Sequence, residues 1–208
     1  MGRISSNLVH NLGPEHIFKI RKQGEGVFDA YGWADNLSSL SRGRGGGATV
    51  PDWETMVGGI SGWSFPPTVM NDLEVSWHIN HDWAVGTDQY PHIHFCAKDD
   101  QVEGVCRWGI EYTLAKREQG VFGDTVTVYL EATIPANNAL EHTVIEVSDA
   151  DAISGDLLEV DALVLARVFR DGAHANDTYA GDVFGLFLDL HYQRNKYATL
   201  NKAFPYNG

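Results

Sequence analysis

Between Leu73 and Gln193, apolar and polar side chains alternate in short runs bounded by turn residues, the period-two pattern of half-buried strands. In LEVSWHIN (73–80), Leu73, Val75, Trp77 and Ile79 alternate with Glu74, Ser76 and His78. TVTVYLEATI (125–134) puts Val126, Val128, Leu130 and Ala132 on one face, and HTVIEVS (142–148) is a shorter run of the same kind. LEVDALVLARVFR (158–170) is apolar on both faces in its middle, as expected of a central strand covered by layers on each side. DVFGLFLDLHYQ (182–193) sets Phe184, Leu186, Leu188, Leu190 and Tyr192 against Val183, Phe187, Asp189 and His191. Turn-forming residues cluster at 80–82, 118–123, 135–139, 149–155 and 171–177. The pattern predicts an all-β body, a jelly-roll-type β-sandwich of seven or eight strands with no helix and no internal repeat.

The segment Gly86–Tyr112 is the centre of this pattern. It predicts a β-hairpin in which a strand carrying His92 and His94 turns through Asp99–Gly104 and returns over Val105–Tyr112. Alternation puts His92, His94 and Cys96 on one face and Pro91, Ile93, Phe95 and Ala97 on the other. If the turn centres on Gln101, His94 lies opposite Trp108, His92 opposite Ile110, and Cys96 opposite Cys106. A one-residue slip would instead set the histidines with Arg107, Gly109 and Glu111. The two cysteines form no CxxC pair, and a cytoplasmic origin favours free, buried thiols.

Residues 1–49 behave differently. HIFKI (16–20) and GVFDAYGW (26–33) are short and interrupted by Gly13, Pro14, Gly24 and Gly26, and SRGRGGGATVP (41–51) has the composition of a hinge. The expectation is an extended arm and glycine-rich hinge over 1–49, docking outside a body that spans 50–208. Limited proteolysis at Arg42 or Arg44 should then leave a folded fragment starting near Pro51. Charge divides at the same place. Residues 1–49 hold six basic and four acidic residues, and the remainder holds nine basic and twenty-four acidic.

A formal charge of −13 disfavours a nucleic-acid partner, because phosphate binding needs clustered Lys and Arg. No apolar run approaches the ~20 residues of a membrane span, and the amino terminus has no apolar signal core, so membrane insertion and standard export are not expected. At 208 residues with 43% hydrophobic content, the chain can support one substantial core.

Candidate chemistry rests on polar residues inside apolar strands: His92, His94, Glu111, Arg167, Asp189 and His191. A charge in a buried strand costs several kcal/mol unless paired, so these six should meet each other, solvent or a subunit partner. One reading is a hydrogen-bonded structural cluster. The alternative is a metal ion held by His92, His94 and His191. Asp189 and His191 should point away from the leucine-lined core. Gly86, five residues, His92-Ile93-His94 and then Asp99 is similar to the first cupin motif, with Asp in place of the usual Glu. The second motif is missing, since His142 lacks its context and His191 lies 97 residues beyond His94. No GxSxG, GxxxxGK[ST] or HExxH signature occurs. DGAHANDT (171–178) is read as a turn rather than a calcium loop. Trp77 and Trp83 belong to a tryptophan-rich first half and are candidate ligand-facing aromatics.

The run HDWAVGTDQYPHIHF, then RWGIEY, LARVFRDG and FLDLHYQ, resembles a group of uncharacterised tailed-bacteriophage virion proteins. That group carries W-x-x-G-T-D-x-x-P-H-x-H, W-x-x-E-Y, an Arg-bearing strand and D-x-H-Y in this order, and the resemblance covers about residues 82–193. It implies a non-enzymatic structural component of a virion head or tail appendage, made in the host cytoplasm. It also implies self-association as a homo-oligomer; the expected state is a homotrimer that meets other virion proteins, with no cofactor. The alternatives are a receptor- or glycan-binding tail module and a cupin-like metal-dependent enzyme.

Overall fold

The computed structural model describes residues 32–41, 50–118 and 120–195. Among these residues ten strands carry the fold: β1 (Gly32–Ser39), β2 (Asp52–Val57), β3 (Ile60–Phe65), β4 (Asp72–His78), β5 (Gln89–Ala97), β6 (Gly104–Ala115), β7 (Val126–Ile134), β8 (Thr143–Glu146), β9 (Leu163–Arg170) and β10 (Val183–Arg194). They form two antiparallel sheets, one ordered β2-β3-β10-β5-β8 with β1 also on β10, the other β4-β9-β6-β7. The protein is a jelly-roll-type β-sandwich, as the alternation predicts. Among the described residues the only helical pieces are two 3-10 turns, at Asp149–Asp151 and Gly155–Leu157.

Between the sheets lie the side chains that alternation assigns inward. Leu73, Val75, Trp77 and Ile79 from the β4 region meet Ile93 and Phe95 of β5, Val128 and Leu130 of β7, and Leu188 and Leu190 of β10 in one cluster. Phe65 and Phe95 pack edge-on to Trp108, with ring centroids 5.0 and 5.5 Å away. Burying side chains of this size supplies about 1.5–3 kcal/mol each.

Several expectations are corrected. The segment 86–112 is not a hairpin. β5 pairs with β10 and β8, whereas β6 pairs with β7 and β9, so residues 98–103 carry the chain from one sheet to the other. The cause is that β5 and β6 each carry an apolar face. Those faces meet across the sandwich, where Phe95 packs edge-on to Trp108. The registers of His94 with Trp108 and Cys96 with Cys106 therefore do not form. Both thiols are free and buried; burial pushes Cys96 up to about 11 and Cys106 to about 12. Neither should react with a thiol reagent at pH 8 in the folded protein, and both should react after denaturation. Rapid labelling of the native chain would contradict the buried placement.

β9 is central in its sheet but covered on one face only, with Leu163 and Leu165 half open to solvent, because the sandwich has just two layers. In β10 the alternation changes phase at a bulge between Gly185 and Phe187. Val183 joins the core and Phe184 faces outward before it, while Leu188, Leu190 and Tyr192 point inward after it. β2 and β3 were not anticipated. They form a hairpin through Gly58–Gly59, where Gly58 takes a positive φ of 57° that suits glycine.

Residues 32–41, expected outside the body with the rest of the arm, are part of the fold. β1 pairs along its full length with β10, from Gly32↔Arg194 to Ser39↔Phe187. Leu40 is buried in the core, and Ser41 exchanges backbone hydrogen bonds of 3.0 and 2.9 Å with Glu74 of the opposite sheet. The rest of the expected arm and hinge, 1–31 and 42–49, lies outside the described residues.

Candidate functional site

Strands β8, β5, β10 and β1 are neighbours, and their registers write a row of polar residues across the outer face of the first sheet. His92 stands opposite Glu146 on one side and Asp189 on the other, and His191 stands opposite Tyr90 and Asp35. Because Ile93, Phe95, Leu188 and Leu190 fill the core, the intervening His92, His94, Asp189 and His191 leave the sheet on the far side. Asp189 and His191 thus point away from the leucines.

Two of these residues are buried despite facing outward: His92 and Asp189 are each 2% exposed. His191 covers His92, ring centroids 3.9 Å apart, and Phe187 stacks on His94 at 4.0 Å. Nε2 of His92 lies 2.5 Å from Asp189 Oδ1 and Nε2 of His94 lies 3.6 Å from the same oxygen. His92 thus faces the carboxylate at ion-pair range, whereas His94 Nε2 lies beyond hydrogen-bond distance from it and is buried with no hydrogen-bond partner. The remaining imidazole nitrogens are engaged. Nδ1 of His94 is 2.7 Å from Nε2 of His142, and Nδ1 of His92 is 3.4 Å from the Tyr90 carbonyl oxygen and 3.8 Å from Glu146. His191 is held by Asp35 at 2.7 Å and by Glu146. Burial disfavours the charged form of both buried imidazoles. In His92 the Asp189 carboxylate outweighs burial and raises the pKa, whereas in His94 burial prevails and lowers it.

The loop before β5 braces this site. Trp83 donates its indole N–H to the Thr87 carbonyl, the Thr87 hydroxyl donates to the Ala84 carbonyl, and Asp88 accepts from the Gly155 N–H. A Cβ at Gly155 would come within 2.5 Å of the Gly86 carbonyl carbon, so this close approach requires glycine. Tyr192 donates to Asp82 at 2.9 Å.

The expected six-residue cluster splits in two. Glu111 and Arg167 sit on the outer face of the other sheet, where Arg167 donates to Glu111 at 2.6 Å and to Asp72 at 2.8 Å. They line an open groove of about 480 Å³ together with Ser76, Thr113, Thr125 and Leu165. The split follows from β5 and β6 belonging to different sheets. Asp99, the acid of the cupin-like spacing, is in the β5–β6 connection, and the carboxylate that joins His92 and His94 is Asp189. Trp77 and Trp83, expected to face a ligand, are core residues at 2% and 0% exposure. Their strand and loop place the large rings where the sandwich needs volume.

Sequence reasoning missed Asp35, His142 and Glu146. Asp35 lies in the segment read as an arm, and the other two reach the site only because β8 is the neighbour of β5. It also singled out Arg167 and passed over Arg170. Arg170 is completely buried, paired with Asp177 at 2.7 Å, and donates to the carbonyl oxygens of Phe65, Tyr179 and Gly181. The turn residues 171–178 supply that aspartate.

No protein-family model and no curated protein matches the chain. Among solved structures it is similar to dimeric latent PorU from Porphyromonas gingivalis, at 14% identity and a TM-score of 0.32, over 78% of this chain and 13% of that one. A structure of the Gt strain of infectious bursal disease virus gives 12% identity and a TM-score of 0.36, over 88% and 38%. The family 11 carbohydrate-binding module from Clostridium thermocellum, solved with a mixed-linked tetrasaccharide, gives 13% and 0.34, over 82% and 92%. The chain therefore spans well under half of the first two, and likeness at this level carries no functional assignment. Among the described residues no helix is long and apolar enough to cross a membrane.

Proposed function

We propose that the chain is a non-enzymatic structural component of a tailed-bacteriophage virion, a sandwich subunit that self-associates, as a homotrimer, and attaches to other virion proteins. The observation that carries this reading is where the motif residues of the phage resemblance go. Trp83, Trp108 and Tyr112 are buried in the body, Thr87 and Asp88 brace a loop, and His92, His94 and Asp189 pack into a closed outer-face cluster. An enzyme would be expected to spend such residues lining an accessible cleft. Self-association is supported by exposed apolar side chains on the first three strands. Trp33 is 56% exposed and Leu37 65%, on the same outward face as Asp35, and Trp53, Val57 and Ile60 are also open.

The test is the composition of gradient-purified particles of the encoding phage. The chain should be present at a fixed copy number, and in solution it should have three times the 23.0 kDa mass of one chain. Changing Trp33 and Leu37 together to serine should shift that mass towards the monomer. Absence from purified particles would overturn the virion assignment. The groove beside Arg167 favours glycan binding as a second reading, because its Ser, Thr, Arg and Glu side chains suit hydroxyl-rich ligands. Retention of a glycan on an array, abolished by Arg167→Ala, would support the tail-module role; no exposed aromatic ring lines the groove to add stacking.

A further inference from the structure

The geometry points to a binding site for one divalent first-row transition-metal ion, held by Nε2 of His92, Nε2 of His94 and Oδ1 of Asp189. One ligand atom from each of the three residues lies within 4.8 Å of the others, and Nε2 of His92 and of His94 stand 2.5 and 3.6 Å from Asp189 Oδ1. Two of them, His94 Nε2 and Asp189 Oδ1, are buried without a hydrogen-bond partner. Leaving an imidazole nitrogen desolvated and unpaired beside a buried carboxylate is costly, and a cation between them offsets the cost. The supporting contacts have the form that metal-binding histidines use. Each ligand imidazole has its other nitrogen against a fixed partner, His142 for His94 and the Tyr90 carbonyl for His92, which leaves Nε2 to coordinate.

Two imidazoles and one carboxylate suit zinc, cobalt, nickel, iron(II) or manganese better than the all-oxygen preference of calcium or magnesium. Cys96 is not a ligand, since its Sγ faces the Met56 sulfur at 3.9 Å. A second grouping, Asp35, His92 and His191, is also within ligand range. It is the weaker candidate because Asp35 is exposed and His191 half-buried, whereas His92 and Asp189 of the first grouping are buried. Burial of His92 and Asp189 leaves no room for a substrate at the ion, so its role is structural: it clips β5 to β10 beneath His191 and Phe187. Three protein ligands leave a further coordination position, which a water molecule would fill in this covered setting. This inference does not depend on the virion reading.

The full chain, purified without a polyhistidine tag, should carry about one metal ion per chain by elemental analysis. After chelation, cobalt(II) should restore a visible absorption band with one-to-one stoichiometry, and zinc(II) should displace it. Asp189→Asn should weaken cobalt binding by at least about tenfold, and His142→Gln, which removes only the partner of His94, by about tenfold. His191→Gln should leave the stoichiometry and the band unchanged. Should Asp189→Asn fail to fold, the wild-type cobalt titration and the His142→Gln variant still decide. The proposal is overturned if the folded wild-type chain shows no one-to-one cobalt band, or if His191→Gln abolishes it while His142→Gln does not.

Discussion

Replacing Arg170 with methionine is expected to destabilise the protein by about 3–5 kcal/mol, the cost of removing one partner from a buried ion pair. The guanidinium is fully buried and spends its donors on both oxygens of Asp177 and on the carbonyls of Phe65, Tyr179 and Gly181. Methionine fills much of the volume but satisfies none of these acceptors. Asp177, 1% exposed on its side chain, would be left as an unpaired buried carboxylate. It also accepts from the Arg107 N–H, so the turn that closes over β6 would loosen too. For a chain of this length the loss corresponds to a fall in melting temperature of about 10 °C. Arg170→Met combined with Asp177→Asn should recover part of it, because the uncompensated charge is then gone. A single variant within about 1 kcal/mol of wild type in urea unfolding would show that the ion pair is replaceable by packing alone.

Arg170 also illustrates what could and could not be read from the sequence. LARVFR alternates cleanly, yet nothing local distinguishes Arg167, on the open face of β9, from Arg170, whose side chain the turn 171–178 covers. Strand existence was legible because Leu73, Val75 and Trp77, or Val128, Leu130 and Ala132, repeat at period two and all enter the core. Pairing was not. The sequence places β5 and β6 next to each other with a turn between, yet β5 pairs with β10 and β8 and β6 with β7 and β9, so their apolar faces meet across the sandwich. The histidine cluster was half legible for the same reason. His92, His94, Asp189 and His191 stood out as polar residues at outward positions of apolar strands. Their partners Glu146, His142 and Asp35 come from β8, the loop before it, and β1, and no spacing along the chain announces those neighbours.

Truncation to residues 50–208 is expected to cost more than a nick in the same region. β1 forms eight backbone pairings with β10 and buries Leu40 against the core. It also reaches the opposite sheet, where Asn36 donates to the His78 carbonyl, Ser38 to the Ser76 carbonyl and Ser41 to the Glu74 carbonyl. At about 0.5–1.5 kcal/mol net per hydrogen bond and about 1.5–3 kcal/mol for the leucine, the strand contributes several kcal/mol even after its ordering entropy is subtracted. Its loss would also bare the edge of β10, a row of unpaired N–H and C=O groups that invites aggregation, and would strip Asp35 from His191. The truncated chain should therefore melt about 10 °C or more below the full chain, or precipitate. Trypsin cleavage at Arg42 or Arg44 cuts the backbone after β1 without removing it. The fragment carrying 32–41 should remain bound through gel filtration under native conditions and separate only in denaturant. A stable, monomeric 50–208 fragment with an unchanged melting temperature would mean that β1 is dispensable and that the body ends, after all, at the glycine-rich hinge.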